Sequence, residues 1–158
     1  MSKLVIFLWR VLPLSKALRW TLLYRGNAHF VAGATAFIQD AEGRILLFEH
    51  TYRPQHPWGL PGGWIKRGEK VEDALAREMR EESGFEIVVD GLLRADLHPA
   101  TRTIDLLYAC RVAGGAFRRS AEVSGYAYIA FDDLPPLVPN QREQIAAILS
   151  QDPLFRRS

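Results

Sequence analysis

The chain has 158 residues, of which 48% are hydrophobic and 24% are charged. This length fits one domain with a substantial core, and the composition excludes a disordered or fibrous protein. The formal net charge is only +2, which gives too weak a positive field to indicate nucleic-acid binding. A single cysteine, Cys110, excludes an intramolecular disulfide framework. It indicates a cytoplasmic protein with a buried, unreactive thiol.

Residues 1–30 contain five basic residues and no acidic residue. The apolar run at 4–9 is far shorter than the roughly 20 residues that a transmembrane helix needs. Two interpretations of residues 1–26 stay open, a helical arm that packs on the domain or on a second subunit of a homodimer, and a basic helix in peripheral contact with a membrane. The packing arm is favoured, because the apolar face of such a helix usually becomes buried in protein. We therefore expect an N-terminal amphipathic helical arm at 1–28 and the main domain at 29–158.

The elements of the main domain follow from apolar periodicity and from turn residues. In chain order, these patterns predict strands at 30–39 and 44–50, a short extended piece at 58–60, a turn at 61–63, a helix at 72–83, an extended segment at 85–98 with a break near 90–91, strands at 103–112 and 126–131, and a final helix at 141–150. Because strands and helices alternate irregularly, we expect an α/β fold in which a mixed β-sheet is sandwiched between helices.

Three carboxylates crowd together on the helix at 72–83. Glu78, Glu81 and Glu82 stand at positions i, i+3 and i+4, where like charges repel. A solvated, charged helix face is one explanation. Against it, Gly62-Gly63 before the helix lets the backbone approach a ligand closely, and few lysines are near enough to neutralise the carboxylates. A hard divalent cation would neutralise them, so the cluster indicates a metal site suited to phosphate chemistry.

This stretch resembles the Nudix hydrolase family. The family's signature is Gly, five residues, Glu, seven residues, then Arg-Glu-U-x-Glu-Glu-x-Gly-U, in which U is bulky and apolar. The nine matching positions are Gly63, Glu69, Arg77, Glu78, Met79, Glu81, Glu82, Gly84 and Phe85. The predicted turn and helix are the structural context that this motif requires.

The resemblance implies a Mg²⁺- or Mn²⁺-dependent pyrophosphohydrolase with the sandwich fold described above. Its substrate would be a nucleoside diphosphate linked to another group X, and water would attack phosphorus. By position, Glu78, Glu82 and the Gly63 carbonyl would bind the metal, with Glu81 assisting. Glu69 and Arg77 would form an ion pair that orients the helix. Lys70 departs from the usual Ser or Thr, which costs about 1 kcal/mol of helix capping.

A further glutamate, Glu122, lies six residues before Tyr128. The family often places a metal ligand or a general base at this distance before an aromatic residue. The resemblance therefore makes Glu122 a candidate for either role, and an exposed loop glutamate is the other interpretation.

The group X stays open among a nucleotide sugar, an ADP-ribose-like compound and a nucleoside triphosphate. In the loop before the signature, Arg53 could clamp a phosphate and Trp58 could stack on a base. The alternative for Trp58 is a core residue. A Nudix-fold module that binds a nucleotide without cleaving it is the second functional hypothesis, although such a module would be expected to have lost a signature glutamate. A membrane-associated scaffold is the third.

Overall fold

The computed structural model describes residues 15–151. The chain divides into two compact units, Met1–Phe30 and Val31–Ser158. The described part of the first unit contains helix α1, Lys16–Gly26, which begins where the backbone amide of Leu18 donates a hydrogen bond to Ser15 Oγ at 3.3 Å. The rest of the expected arm, residues 1–14, lies outside the described residues, and its role stays a prediction.

The second unit contains seven strands and two α-helices within the described residues. They are β1 (Val31–Ile38), β2 (Ile45–His50), β3 (Trp58–Gly59), β4 (Gly62–Trp64), α2 (Val71–Ser83), β5 (Phe85–His98), β6 (Thr103–Gly115), β7 (Val123–Ile129) and α3 (Gln141–Gln151), with a short 3₁₀ turn at Phe131–Asp133. These bounds lie within a few residues of the predicted ones.

The strands form two sheets instead of the single sheet expected. One has the strand order β4-β1-β6-β5 and the other has the order β3-β2-β7. The first sheet is mixed, because β1 runs parallel to β6 while its other pairings are antiparallel. The sheet class predicted from the sequence is therefore confirmed, and the division into two sheets was not foreseen.

Helices α2 and α3 cover opposite faces of β1 and β2, whose alternate side chains enter two separate cores. The core on the α2 side includes Ala36, Ile38, Leu46, Phe48, Leu75 and Met79. The core on the α3 side includes Phe37, Ile45, Leu47, Ile145 and Ile148. This arrangement confirms the expected layers, with strands between helices.

Two local predictions need correction. The segment 61–63 was expected to be a turn, but Gly62–Trp64 pairs with β1 as a strand. Gly62 has φ +147°, and a side chain there would collide with the carbonyl oxygen of Ala34. Only glycine therefore lets this strand approach β1 so closely. The break expected near 90–91 is a bulge between Val89 and Gly91 within one continuous strand.

Two further expectations concern Cys110 and membrane-spanning helices. Cys110 is buried as predicted, and this burial raises the pKa of its thiol to about 12, which disfavours the reactive thiolate. Among residues 15–151, no helix is both long enough and apolar enough to cross a bilayer.

Candidate active site

Helix α2 is fixed by its apolar stripe and by its C-terminus. Leu75 and Met79 are fully buried, so the sheet side of the helix is set by packing. Gly84 adopts the left-handed conformation, and its amide donates a hydrogen bond to the carbonyl of Arg80 at 3.0 Å. Lys70 provides no side-chain cap at the other end, as predicted. The helix therefore holds its glutamates at a defined position beside β4.

Glu82 is the buried member of the carboxylate cluster, with 4% of its surface exposed. The backbone amide of Gly62 donates a hydrogen bond to its carboxylate, while Oε2 has no partner among the described residues. Burial raises the pKa of Glu82 to about 8, and the nearby charges of Glu78 and Glu122 act in the same direction. Burying a carboxylate oxygen without a partner costs free energy, and a bound cation or a proton on this atom would reduce that cost.

Gly63 lies directly against the carboxylate of Glu78. A Cβ placed on Gly63 would come within 2.5 Å of Glu78 Cδ and 2.6 Å of its Oε1. The absence of a side chain at residue 63 is therefore a steric requirement for this arrangement. It also brings the peptide backbone of residue 63 next to the carboxylate of Glu78. A metal ion held by both the Gly63 carbonyl and Glu78 would require this proximity.

Arg77 joins the glutamates into one network. Its guanidinium makes a bidentate pair with Glu69, with Nε to Oε1 at 2.8 Å and Nη2 to Oε2 at 3.0 Å. Its Nη1 contacts Glu78 Oε1 at 2.6 Å and Glu81 Oε2 at 3.3 Å. The pKa of Glu69 falls to about 2, chiefly because Arg77 and the amide of Lys66 donate hydrogen bonds to it. The predicted ion pair between Glu69 and Arg77 is present, and it anchors the helix to the preceding loop.

A cleft of about 720 Å³ opens beside this network. Seven of the predicted residues line it, namely Glu78, Glu81, Glu82, Arg77, Gly63, Arg53 and Glu122. The structure thus brings Glu122 to the cluster from the other sheet, and Arg53 to the same cavity, where its guanidinium lies over the ring of Tyr52 at 4.9 Å. Glu69 stands behind Arg77 and does not line the cleft.

Trp58, unlike Arg53, lies outside the cleft. It lies in β3 and packs against the core that α3 covers. This is the alternative that the sequence left open, and a contact between Trp58 and substrate stays a prediction.

The family model described as the NUDIX domain matches residues 29–148, which is more than half of the chain. The chain belongs to the Nudix family. The resemblance drawn from nine positions is thereby confirmed, and the network around Arg77 is the folded form of the Nudix signature.

Several Nudix relatives are similar over most of this chain. A putative 8-oxo-dGTP diphosphatase of Bacillus subtilis (strain 168) is 29% identical over 118 residues, covering 73% of this chain and 78% of that protein. An ADP-ribose pyrophosphatase of Methanocaldococcus jannaschii is 30% identical over 119 residues, covering 72% of this chain and 70% of that protein. The crystal structure of an ADP-ribose pyrophosphatase from Streptococcus suis 89-1591 has a TM-score of 0.67 and 29% identity, covering 78% of this chain and 93% of that one. These comparisons confirm the Nudix fold and an enzyme of the hydrolase class that acts on phosphorus-containing anhydrides.

Nudix hydrolases generally use divalent metal ions. The residues present fit such an ion, because the cluster supplies only oxygen donors and leaves Glu82 Oε2 buried without a partner. Within residues 15–151, no three potential ligands already converge on one point. The carboxylate of Glu78 is instead turned towards Arg77, at 2.6 Å from Nη1.

Part of the cleft of this Nudix domain was not predicted from the sequence. Trp64 and Tyr52 expose aromatic rings to the cleft, and Asp105 and Gln144 add polar groups. Two of them left a local signal, Trp64 as an aromatic residue directly after the Gly-Gly pair and Tyr52 as the neighbour of Arg53. The others come from distant segments that nothing local connects with the signature.

Proposed function

We propose that this chain is a Mg²⁺-dependent Nudix pyrophosphohydrolase, with Mn²⁺ as a substitute, that cleaves a nucleoside diphosphate linked to another group. The observation that carries the proposal is the buried carboxylate of Glu82, held beside two other acidic residues with one oxygen unpartnered among the described residues. Such a group is stabilised by a hard cation, and Mg²⁺ prefers carboxylate, carbonyl and phosphate oxygens.

The ligands would come from both sides of the cleft. Glu78, Glu82 and the carbonyl of Gly63 would hold the ion, with Glu81 as a further ligand and Glu122 as either a ligand or the general base. A divalent ion at such a site neutralises phosphate charge and lowers the pKa of bound water. For this to occur, Glu78 must exchange part of its contact with Arg77 for the ion.

The remaining groups would position the carboxylates, bind the substrate phosphate and accept the proton of the attacking water. Arg77 keeps the carboxylates in place through its bidentate pair with Glu69. Arg53, which lines the same cleft, is placed to bind a phosphate of the substrate. Glu122 is the candidate proton acceptor for the attacking water. Attack breaks one P–O bond of the anhydride, and the products are two phosphate compounds and a proton.

The relatives support the class of substrate. Their names refer to 8-oxo-dGTP and to ADP-ribose, both of which carry a nucleoside on a phosphoanhydride. A nucleotide-derived small molecule is therefore the substrate class that we propose.

The test is a panel of nucleoside triphosphates, ADP-ribose and nucleotide sugars, assayed with Mg²⁺, Mn²⁺ or chelator, with the products identified. We expect cleavage within the anhydride that requires metal and stops in chelator. Glu72→Gln, an exposed glutamate in the first turn of α2, is the matched control for variants of the cluster and should retain full turnover. Nucleotide binding without any cleavage would instead support a silent binding module, and full turnover in chelator would refute the metal site.

A further inference from the structure

Trp64, Gly33 and Asp105 form a row across three neighbouring strands at one end of the cleft. Gly33 of β1 pairs directly with Trp64 of β4 on one side and with Asp105 of β6 on the other. Directly paired residues of a sheet project from the same face, and all three residues line the cleft that contains the carboxylate cluster. Because Gly33 has no side chain, the row contains a gap between an aromatic ring and a carboxylate.

The indole of Trp64 covers the backbone of Gly33 and is otherwise open. A Cβ on Gly33 would lie 3.5 Å from both Cε3 and Cζ3, so the six-membered ring rests against this residue. Trp64 is nevertheless 57% exposed. Its carbonyl accepts a hydrogen bond from Arg77 Nη2 at 3.2 Å, which fixes its backbone to the signature network. A large, open aromatic face on a fixed backbone is suited to stacking.

The carboxylate of Asp105 lies at the edge of this gap. Its Oδ2 lies 3.1 Å from Nε2 of His98 on β5. Its Oδ1 would lie 3.7 Å from a Cβ on Gly33, on the side where the indole rests. The 3.1 Å approach to His98 lacks hydrogen-bond geometry, so the half-exposed carboxylate of Asp105 can accept hydrogen bonds from a group stacked on Trp64.

We propose that this row binds the nucleobase of the substrate, stacked on Trp64 with its N–H edge directed to Asp105, and that it prefers guanine. The inference rests on the proposed function, since it assigns the base to one end of the cleft and the phosphates to the other. The row and the carboxylate cluster line one cleft of about 720 Å³, so one nucleotide can reach both parts.

The preference for guanine follows from the hydrogen-bonding edges of the bases. Guanine presents two adjacent donors, N1–H and the N2 amino group, to a carboxylate. Adenine and cytosine place a ring nitrogen acceptor beside their amino group, and uracil flanks its single N–H with two carbonyls. Each of these acceptors would face the negative charge of Asp105.

The test measures binding of GMP, AMP, CMP and UMP by calorimetry, without metal and therefore without hydrolysis. GMP should bind the wild-type protein about tenfold more tightly than AMP, at the lower end of what a good bidentate contact provides. Asp105→Asn should bring the two affinities within about twofold of each other. Asp90→Asn, an exposed aspartate on β5 outside the cleft, is the matched control and should keep the preference.

The stacking half of the proposal is tested with Trp64→Leu and Trp64→Phe. Leucine should weaken binding of all four nucleotides about tenfold, and phenylalanine should restore most of the affinity, because stacking depends on the ring and little on the base. Melting temperatures of both variants should stay near that of the wild type, since the side chain is exposed.

Equal affinities of the wild-type protein for GMP and AMP would overturn the proposal, and so would an unchanged preference in Asp105→Asn. Parallel turnover assays with GTP, ATP, CTP and UTP in Mg²⁺ separate this inference from the proposed function. Equal turnover of GTP, ATP, CTP and UTP would refute the guanine subsite alone. Selective GMP binding without cleavage of these triphosphates, of ADP-ribose or of any nucleotide sugar in the panel would refute the proposed function alone.

Discussion

Replacing Glu82 with glutamine should make the metal-free protein more stable at high pH while abolishing most of its turnover. The pKa of Glu82 is raised from 4.5 to about 8 by burial and by the charges of Glu78 and Glu122. A tenfold change in an ionisation constant corresponds to about 1.4 kcal/mol, so ionising Glu82 in the folded protein costs up to about 5 kcal/mol. Glutamine keeps the shape and can still accept the hydrogen bond from Gly62, but it carries no charge.

The sign of the pH dependence follows from proton binding. Between pH 4.5 and about 8, the folded state holds a proton on Glu82 that the unfolded state has released. The contribution of Glu82 to the free energy of unfolding therefore falls as pH rises through this window, and the full penalty is present above it. Glu82→Gln should lack this slope, so the two proteins should differ little at low pH and most at high pH.

The assay is thermal unfolding in chelator from about pH 5 to pH 9, with turnover in Mg²⁺ measured on the same preparations. A gain of up to about 5 kcal/mol should raise the melting temperature of the variant above pH 8 by as much as roughly 10–20 °C. Turnover should fall by about a hundredfold or more, because an anionic ligand of the ion is lost. Parallel stability profiles for the two proteins would refute the buried-carboxylate reasoning, and near-normal turnover would remove Glu82 from the metal site.

Three further changes test other parts of the molecule. Glu69→Gln or Arg77→Lys should lower turnover while Mg²⁺ still binds by calorimetry, since the ion pair positions the carboxylates; unchanged turnover in both would make the pair incidental. Lys70→Ser should raise the free energy of unfolding by about 1 kcal/mol by capping α2, as measured by denaturant titration, and no gain would show that the position does not act as a cap. Deleting residues 1–26 should lower the melting temperature or shift the oligomer size; loss of vesicle binding with both properties unchanged would support the membrane interpretation instead.

Local sequence was enough to determine the part of the site that one helix and its flanking turns carry. The spacing of Leu75 and Met79 sets the buried side of α2, and Gly84 sets its end, so the positions of Glu78 and Glu82 on the helix follow from periodicity alone. The signature then indicated the Nudix family and its reaction, because nine residue types at fixed spacing are rarely matched by chance.

The sequence also predicted the strands, since apolar runs bounded by turn residues are local signals. What it could not predict is which strands become neighbours. The parallel pairing of β1 with β6 and the division into two sheets depend on contacts between distant segments. The prediction of a turn at 61–63 was wrong because the strand Gly62–Trp64 takes its conformation from packing on β1.

Only the tertiary structure decided how these parts become a site. It brings Glu122, which directly precedes β7, to the carboxylates of α2, packs Trp58 against a core, and aligns Trp64 with Asp105 across Gly33. The pKa of Glu82 is likewise a tertiary property, because the exclusion of water and the repulsion between charges depend on residues far apart in the chain. Periodicity within a segment sets which side chains share a face, whereas sheet register and burial set which faces meet.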